Sequence, residues 1–378
     1  MVVIIQPMFH LPGHFKTYTS RLISGFLDVR SQSVLLISTD SKDSNLNFIS
    51  NSNDLLRVKL LASRHPFLST IDAAIKLLGC KESGNNVALF FLDYHFIAMA
   101  LLYPLLRCRF KNIVLTHPGS TFPIGELSYP DRIKAILTQW CARIIGKIAT
   151  RQVYHSNLVK QEFFRPLFKG SKSAIIEWGV TRSKFNYSRE KNISHLTSKN
   201  LNIVAFGKIE KRKGISAFLK WIEGANVRQS LKINIALLGK VDAVYKAELR
   251  RVIDSCKNIK VDLKDYSYTD QELQLEILQS NYALLAYDRT FTAASGVLAD
   301  VIGFGVPILT CKECVFSEFV TSNNIGYSID YNLHGDSLLD EIVNYYVEQP
   351  WDLNIKNLSS NSWKHVAERH LDMIFPQN

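Results

Sequence analysis

The residues most suited to chemistry lie in Asn202–Ile222, NIVAFGKIEKRKGISAFLKWI, where clustered lysines follow an apolar run. This pattern predicts a strand that ends at Gly207, basic residues that include Lys208 and Lys213, and a helix that opens at Gly214. Glycine lets a ligand approach the backbone, a helix start offers unpaired N–H groups, and lysine adds full positive charge. Together these features suit a diphosphate. The alternative is a solvated turn with merely exposed lysines.

A second segment, Tyr282–Thr310, predicts a strand, a loop and another helix start. Ser295 can cap a helix that begins near Gly296, and the amides of Gly296 and Val297 can then hold phosphate oxygens. Asp300 lies about one turn inside this helix, where its carboxylate can accept hydrogen bonds from ribose hydroxyls. The alternative for Asp300 is a carboxylate on the helix surface.

Candidate general bases occur in the first half of the chain, at predicted strand ends or in the loops that follow them. A lone histidine is more often structural, so each candidate keeps that alternative. The candidates are His10, His14, Asp93, His95 and His117.

The pair Cys311 and Cys314, in the sequence CKEC, lacks the further ligands that a zinc site needs. A structural role is therefore preferred over a metal or redox role. We also find no Asp-x-Asp pair beside a strand, so the sequence predicts no metal site.

The elements that must position these residues alternate between apolar runs and helical patterns, which predicts parallel sheets covered by helices. The expected fold is α/β, with two Rossmann-like doubly wound domains and ligands at the carboxyl ends of the strands, in a cleft between the domains. The predicted boundaries are a first domain at 1–186, a linker at 187–200, a second domain at 201–345 and a C-terminal helix at 346–378.

Composition excludes several classes of protein. The 378 residues are 47% hydrophobic and 21% charged, which excludes disorder as the main state. Six cysteines without a repeating framework favour a reducing compartment, hence the cytoplasm. The start of the chain, MVVIIQP, resembles a buried strand rather than a signal peptide. The apolar stretch Ala88–Leu106 contains Asp93, His95 and Pro104, so it predicts a strand and a helix rather than a membrane span.

The net positive charge of the chain comes entirely from its first half. Residues 1–186 contain 23 Lys and Arg against 11 Asp and Glu, whereas residues 187–378 contain 22 against 23. Pro130–Thr150 predicts an amphipathic basic helix, either a solvated surface helix or a membrane-facing one. A one-sided basic surface attracts nucleic acid or an anionic membrane, and no nucleic-acid-binding motif accompanies it.

The order of these segments resembles the nucleotide-binding domain of GT-B glycosyltransferases, especially glycosyltransferase family 4. In that family a basic residue follows a glycine-ended strand and a lysine precedes glycine five positions later, as Lys208 and Lys213 do here. The family then has two acidic residues eight positions apart, the second in a helix that ends in glycine, one residue and proline. Asp300 matches the second acid, whereas the first falls on Thr292.

The resemblance extends to the first half of the chain and to its end. Gly13 and His14 stand where the family has a glycine loop beside the donor phosphates, and His117 matches a histidine often found near the reacting sugar. The sequence around Trp363 is similar to the family's last helix, which crosses back onto the first domain.

The resemblance implies a cytoplasmic, membrane-associated glycosyltransferase of bacterial surface-polysaccharide synthesis, making O-antigen, capsule or exopolysaccharide. The resemblance implies that the domain at 201–345 binds a nucleotide-diphosphate sugar as donor and that the domain at 1–186 binds the acceptor, a glycan or a polyprenyl-diphosphate-linked oligosaccharide. It also implies that the helix at 346–378 crosses back to the first domain. No cofactor or metal is expected if lysines hold the diphosphate, and no nucleic acid is expected as a partner. The implied donor-binding residues are Gly13, Gly207, Lys208, Lys213, Thr292, Ser295, Gly296, Val297 and Asp300, and the catalytic candidates are His117, His14 and Asp93.

Three alternatives remain open. The first is a sugar-nucleotide epimerase of the same architecture. The second is a nucleic-acid-binding protein, which would explain the basic half. The third is a non-enzymatic scaffold, since Thr292 replaces an acid of the family.

Overall fold

In a computed structural model, the chain forms two α/β units. The first consists mainly of Met1–Gly179 and Asn361–Asn378, and the second mainly of Val180–Phe291 and Val297–Ser360. The structure describes residues 1–7, 14–29, 34–39, 56–80, 87–117, 129–155, 172–176, 179–180, 200–225, 231–288, 295–314, 316–332, 337–358 and 362–375.

The first unit is built on a seven-stranded parallel sheet in the order β3-β2-β1-β4-β5-β6-β7. Its central strands are continuous apolar runs because helices cover both faces of the sheet. The strand order reverses between β1 and β4, and ligands bind at such a switch point in open α/β sheets. The strands are β1 Val2–Gln6, β2 Val34–Ser38, β3 Leu56–Leu60, β4 Ala88–Phe91, β5 Asn112–His117, β6 Arg151–Tyr154 and β7 Lys172–Ile175.

Helices α2 (Pro66–Leu78), α3 (Phe96–Arg109) and α4 (Tyr129–Ile148) contribute to the core on one face of this sheet. Helix α1 (His14–Val29) and the C-terminal helix α12 (Trp363–Asp372) contribute to the core on the other face. These two helices pack closely: a Cβ atom on Gly25 would overlap the carbonyl of Trp363. The end of the chain therefore completes the first unit.

The second unit is built on a six-stranded parallel sheet in the order β10-β9-β8-β11-β12-β13, so its switch point lies between β8 and β11. The strands are β8 Asn200–Phe206, β9 Lys232–Leu238, β10 Ile259–Lys264, β11 Tyr282–Leu285, β12 Ile308–Cys311 and β13 Gly326–Ile329. The helices are α5 Ile215–Ala225, α6 Lys246–Ser255, α7 Asp270–Leu278, α8 Gly296–Phe304, α9 Ser317–Ser322, α10 Ser337–Glu348 and α11 Trp351–Leu358.

Helices α10 and α11 belong to the second unit. The hydroxyl of Tyr282 in β11 donates to the carbonyl of Ile342 in α10 at 2.7 Å, and the indole of Trp351 donates to the carbonyl of Tyr346 at 2.9 Å. The return to the first unit consequently begins near residue 361, later than the predicted 346. Most of the predicted linker, 187–199, lies outside the described residues.

The apolar stretch at 88–106 forms strand β4 and most of helix α3, as predicted. Across the part of the chain that the structure describes, no helix combines the length and apolar composition needed to cross a membrane.

Candidate functional site

Two glycines shape the loop that follows β8 at the switch point of the second unit. Gly207 has φ 85° and Gly214 has φ 67°, a backbone region that other residues seldom adopt. Gly214 ends a 3₁₀ turn over Lys211–Lys213 and directly precedes helix α5. A Cβ atom on Gly214 would overlap the carbonyl of Ala286, just beyond β11. The two glycines therefore allow the loop after β8 to lie against the end of β11.

Lys213 places its ammonium group beside these strand ends. Nζ donates a 2.7 Å hydrogen bond to the carbonyl of Phe206 and lies 5.7 Å from the centre of the Tyr287 ring. No carboxylate of the described residues forms an ion pair with it. Burial of the ammonium lowers the pKa of Lys213 to about 7, and the nearby charge of Glu210 only partly opposes this shift.

Gly207 lies between this ammonium and the first turn of helix α8. A Cβ atom on Gly207 would lie 3.0 Å from Nζ of Lys213 and 3.2 Å from Cγ2 of Val297. Three predicted donor-binding residues, Gly207, Lys213 and Val297, are thus brought together. A lysine next to a helix start is an arrangement that binds anions, because both present positive charge.

The remaining predicted donor-binding residues lie in several environments. Gly296 begins α8, Ser295 precedes it and is buried, and Asp300 is half-buried within it. Thr292 and Gly13 lie outside the described residues.

Lys208 has a different environment from Lys213. Its exposed ammonium lies 2.5 Å from Glu210 and 3.8 Å from Asp242, and Arg212 also pairs with Glu210 at 2.5 Å. Partial burial raises the pKa of Glu210, but its bonds to Lys208 and Arg212 outweigh this effect and hold the pKa below its ordinary value. The predicted role of Lys208 in gripping diphosphate stays a prediction, since a carboxylate already engages it.

An open cavity of about 350 Å³ adjoins these ion pairs but is not lined by Lys213. It has mixed charge and therefore does not present a uniform anion-binding surface. Its lining residues are Glu210, Lys211, Arg212, Asp242, Val244, Tyr245 and Glu248.

Two tyrosines next to this loop were not identified from the sequence: Tyr245 contacts the start of α5, and Tyr287 contacts Lys213. The hydroxyl of Tyr245 accepts a 3.1 Å hydrogen bond from the amide of Ser216, so this amide at the start of α5 already has a partner. Tyr287 packs beside Lys213, and the next amide, of Asp288, donates to the carbonyl of Arg212 at 2.9 Å. The signal available for Tyr287 was its position directly after a buried strand at the switch point.

The switch point of the first unit holds one of the predicted bases, Asp93. This residue follows β4 and is buried, and the amide of Tyr94 donates to Oδ1 at 2.8 Å. Desolvation raises the pKa of Asp93 to about 7, and the bond from Tyr94 only partly opposes this effect. His14 is the first residue of helix α1, which follows β1.

His117, at the end of β5, is fully buried in a polar network. The amide nitrogen of Gln152 donates to the carbonyls of Gly146 and Ala149, which leaves Oε1 to accept from Nε2–H of His117 at 3.0 Å. In this assignment Nδ1 accepts from the hydroxyl of Tyr94 at 3.1 Å. Burial lowers the pKa of His117 to about 4. The neutral ring supports the strand ends, and its catalytic role stays a prediction.

Neither of the other two candidate bases can be placed in a catalytic arrangement. His95 packs its ring edge-on against Phe67, with ring centres 5.3 Å apart, and His10 lies outside the described residues. Within the described ranges, no group of three or more His, Cys, Asp or Glu residues could hold a metal ion.

Comparison with solved structures finds similarity along the whole chain. Alr3699/HepE of Anabaena, in complex with UDP-glucose, is 11% identical with a TM-score of 0.65, covering 100% of this chain and 99% of that chain. WaaG, a glycosyltransferase involved in lipopolysaccharide biosynthesis, is 12% identical with a TM-score of 0.62 over 100% of both chains. Sucrose-phosphate synthase of Thermosynechococcus elongatus is 13% identical with a TM-score of 0.66, covering 98% and 97%. No protein-family model and no curated protein matches the sequence. The chain has the GT-B fold of glycosyltransferases, as the resemblance predicted.

Proposed function

We propose that this protein is a glycosyltransferase that moves a sugar from a nucleoside-diphosphate donor to a glycan acceptor. The observation that carries the proposal is the half-buried Lys213, whose ammonium lies at the switch point between β8 and β11, next to Gly207 and the start of α8. A desolvated cation without a described carboxylate partner favours an anionic ligand. The complex of Alr3699/HepE with UDP-glucose supports a nucleotide sugar as that ligand.

In this proposal the second unit stabilises the departing diphosphate. Cleavage of the anomeric bond places negative charge on the leaving group. The ammonium of Lys213 and the first turn of helix α8 at Val297 lie on elements that are already positioned before that charge develops. Preorganised donors of this kind are worth about 3 to 4 kcal/mol each in comparable sites. Lys213 and the helix start supply the positive charge without a metal ion.

The first unit binds the acceptor in this proposal, and Asp93 is the base that receives a proton from the acceptor hydroxyl. A pKa of about 7 keeps a large fraction of this carboxylate ionised at neutral pH while leaving it basic enough to accept a proton. The buried amide of Tyr94 holds Oδ1 in place.

The test is whether UDP or any of a panel of nucleotide sugars binds the protein, measured by thermal unfolding and by calorimetry. A ligand at one hundred times its dissociation constant adds about 2.7 kcal/mol of stability, which a thermal shift detects. Lys213→Met should abolish this shift, whereas the exposed Lys208→Met should reduce it only modestly. The proposal fails if no nucleoside diphosphate or nucleotide sugar stabilises the wild-type protein.

We further propose that the acceptor is lipid-linked, as in O-antigen or capsule synthesis, and that helix α4 holds the protein on an anionic membrane. Four apolar side chains on α4 follow helical spacing and are 44–60% exposed: Ile133, Ile136, Leu137 and Trp140. Exposed apolar residues in such a row are unusual for a helix that faces water.

Basic side chains flank this apolar row. Arg132, Lys134 and Arg143 are exposed on the same helix. An apolar stripe between cations suits the interface of an anionic bilayer, because the apolar residues enter the acyl boundary while the cations contact lipid phosphates. The involvement of WaaG in lipopolysaccharide biosynthesis supports such a surface.

Sedimentation with vesicles tests the membrane proposal. We expect binding to vesicles that contain phosphatidylglycerol, weaker binding to pure phosphatidylcholine, and partial release at high salt. Trp140→Ser combined with Ile136→Ser should abolish binding, whereas Leu275→Ser, at an exposed leucine of the second unit, should not. Equal sedimentation of the double variant and the wild type would contradict this role of α4.

A further inference from the structure

Two cysteines lie in a tight turn at the carboxyl end of β12. Cys311 is the last residue of that strand, and the amide of Cys314 donates to the carbonyl of Cys311 at 2.8 Å, which closes a four-residue turn. Both thiols are free and both residues are buried. The Cα atoms that end a β-turn lie within about 7 Å, and disulfides span about 4.4 to 6.8 Å, so this turn can accommodate a bond between the two sulfurs.

Both sulfurs contact the backbone of the strand end that leads to the lysine site. Sγ of Cys314 donates to the carbonyl of Leu285 at 3.3 Å, and Sγ of Cys311 donates to the carbonyl of Tyr287 at 3.9 Å. The ring of Tyr287 is the one that lies 5.7 Å from Nζ of Lys213. Tyr287 therefore connects the thiol pair to the ammonium of Lys213, which is the proposed diphosphate ligand.

A second set of contacts joins the turn to the same tyrosine. The amide of Phe316 donates to Sγ of Cys314 at 3.4 Å, and the Phe316 ring packs edge-on against Tyr287 with centres 5.3 Å apart. A change in the bonding of the two cysteines thus reaches the backbone of Tyr287 from Cys311 and its ring from Cys314 by way of Phe316.

We propose that Cys311 and Cys314 are a thiol modification site, which a low-molecular-weight disulfide converts to an intramolecular disulfide that weakens nucleotide binding at Lys213. The effect on nucleotide binding rests on the proposed function. The site itself rests on the turn and on the contacts of its two sulfurs.

The chemistry is an ordinary thiol–disulfide exchange. The thiolate of Cys311 attacks one sulfur of the disulfide RSSR and expels RS⁻, which takes up a proton as RSH. Cys314 then loses its proton and attacks the sulfur of Cys311 in the mixed disulfide, so a second RSH leaves. Two cysteine thiols are oxidised and RSSR is reduced to two RSH.

The order of attack follows from the unequal acidity of the two thiols. When Cys311 ionises, the single S–H proton of Cys314 can turn from the carbonyl of Leu285 to the thiolate; this interaction lowers the pKa of Cys311 and raises the pKa of Cys314. Cys311 is therefore the attacking residue and Cys314 the resolving one.

Oxidation removes both S–H donors from the strand end. The carbonyl of Leu285 keeps a 2.9 Å hydrogen bond from the hydroxyl of Thr310, so the pairing of β11 with β12 persists. The carbonyl of Tyr287 loses its bond from Cys311, and we therefore expect the change to be concentrated at Tyr287 and Lys213.

The experiment uses the full chain in a Cys108→Ser background, because Cys108 is exposed and would react as a single thiol. Protein is treated with oxidised glutathione, and the peptide that contains residues 311–314 is analysed by mass spectrometry. UDP affinity is measured before and after treatment, together with the rate at which an amine-reactive reagent labels Lys213. Cys314→Ser removes the resolving thiol, and Cys256→Ser is the control at a half-buried cysteine elsewhere in the second unit.

We expect the peptide to lose two hydrogens, UDP affinity to fall about tenfold and the labelling rate of Lys213 to change, all reversed by dithiothreitol. The Cys256→Ser protein should respond in the same way, whereas Cys314→Ser should form no internal disulfide. The proposal is overturned if the two thiols stay reduced, or if the disulfide forms while labelling of Lys213 is unchanged. Failure of the reduced protein to bind UDP would instead refute the proposed function, and the labelling readout would still decide this inference.

Discussion

The ammonium of Lys213 donates a 2.7 Å hydrogen bond to the carbonyl of Phe206, the last residue of β8. A backbone carbonyl fixes the position of Nζ but does not neutralise its charge. The lysine is thus held at the strand end in a desolvated state that an anionic ligand would relieve. This relationship makes the protonation of Lys213 the most direct indicator of ligand binding.

Nucleotide binding should be coupled to proton uptake by Lys213. Burial lowers its pKa to about 7 in the free protein, and a bound diphosphate should raise that pKa because it favours the charged form. Above about pH 7.5 most free protein has a neutral Lys213 and must take up a proton on binding, so UDP affinity should fall roughly tenfold per pH unit. Calorimetry in buffers of different ionisation enthalpy measures the proton uptake directly.

The exposed lysine provides the control for this coupling. Lys208→Gln should leave the proton uptake unchanged, because Lys208 is exposed and paired with Glu210. If the wild-type protein bound UDP at pH 8 to 9 without taking up protons, Lys213 would not be the diphosphate ligand.

Lys213→Met should lose nucleotide binding and yet stabilise the fold. The folded state carries a desolvated charge below about pH 7, whereas the unfolded lysine keeps its proton up to about pH 10.4, so the unfolded chain binds more protons between these values. The gain should be largest below about pH 7, at least about 1 kcal/mol, and should shrink as the pH rises toward 10. Urea unfolding at acidic and alkaline pH measures it, with Lys208→Met as the control that stays within about 0.5 kcal/mol.

Most of the fold could be predicted from the sequence because the central strands are continuous apolar runs. Strands β3, β6 and β10 lack such a run, so the apolar pattern does not identify them. β3, LRVKL, and β10, IKVDLK, each form one edge of their sheet and carry charged residues on exposed positions. β6, RQVY, contains a buried glutamine, which supports His117 instead of facing water.

The site was less accessible to sequence reasoning than the fold. Spacing identified both lysines, but only the structure shows that Lys208 pairs with Glu210 and that Lys213 is half-buried and bonded to the carbonyl of Phe206. The contacts of Tyr287 depend on how the loops after β8 and β11 pack together, and these loops are more than seventy residues apart in the chain. No local pattern encodes such a contact.

Gly214→Ala should destabilise the second unit strongly. A side chain at φ 67° is strained, and its Cβ would overlap the carbonyl of Ala286, so the loop after β8 must move away from β11. We expect a loss of about 3 kcal/mol or more and loss of UDP binding. The matched control is Gly224→Ala in helix α5, where a Cβ meets nothing within 4 Å and should add up to about 1 kcal/mol. Equal stability of the two variants by urea unfolding would contradict the close approach at Gly214.

His370 of helix α12 is fully buried in the first unit and packs edge-on against the rings of Phe26 and Phe90, with ring centres 6.3 and 5.9 Å away. Its Nδ1–H donates to the carbonyl of Val366 at 2.8 Å, and its Nε2 has no hydrogen-bond partner among the described residues. Burial lowers the pKa of His370 to about 4, so the folded state keeps the ring neutral while the unfolded chain takes up a proton below about pH 6.5.

At His370 the unfolded state therefore binds more protons between about pH 4 and 6.5, so the contribution of this residue to stability falls as the pH falls through this window. The contribution of His370 at about pH 5 is roughly 2 kcal/mol. His370→Phe should reduce the loss of stability between pH 7.5 and 5 by about that amount, leaving the opposing contributions of His117 and Asp93. Urea unfolding at the two pH values gives the difference, and His365→Phe, at an exposed position of the same helix, should retain the full loss. An identical pH dependence in the His370 variant and the wild type would mean that the folded protein protonates this ring as readily as the unfolded chain does.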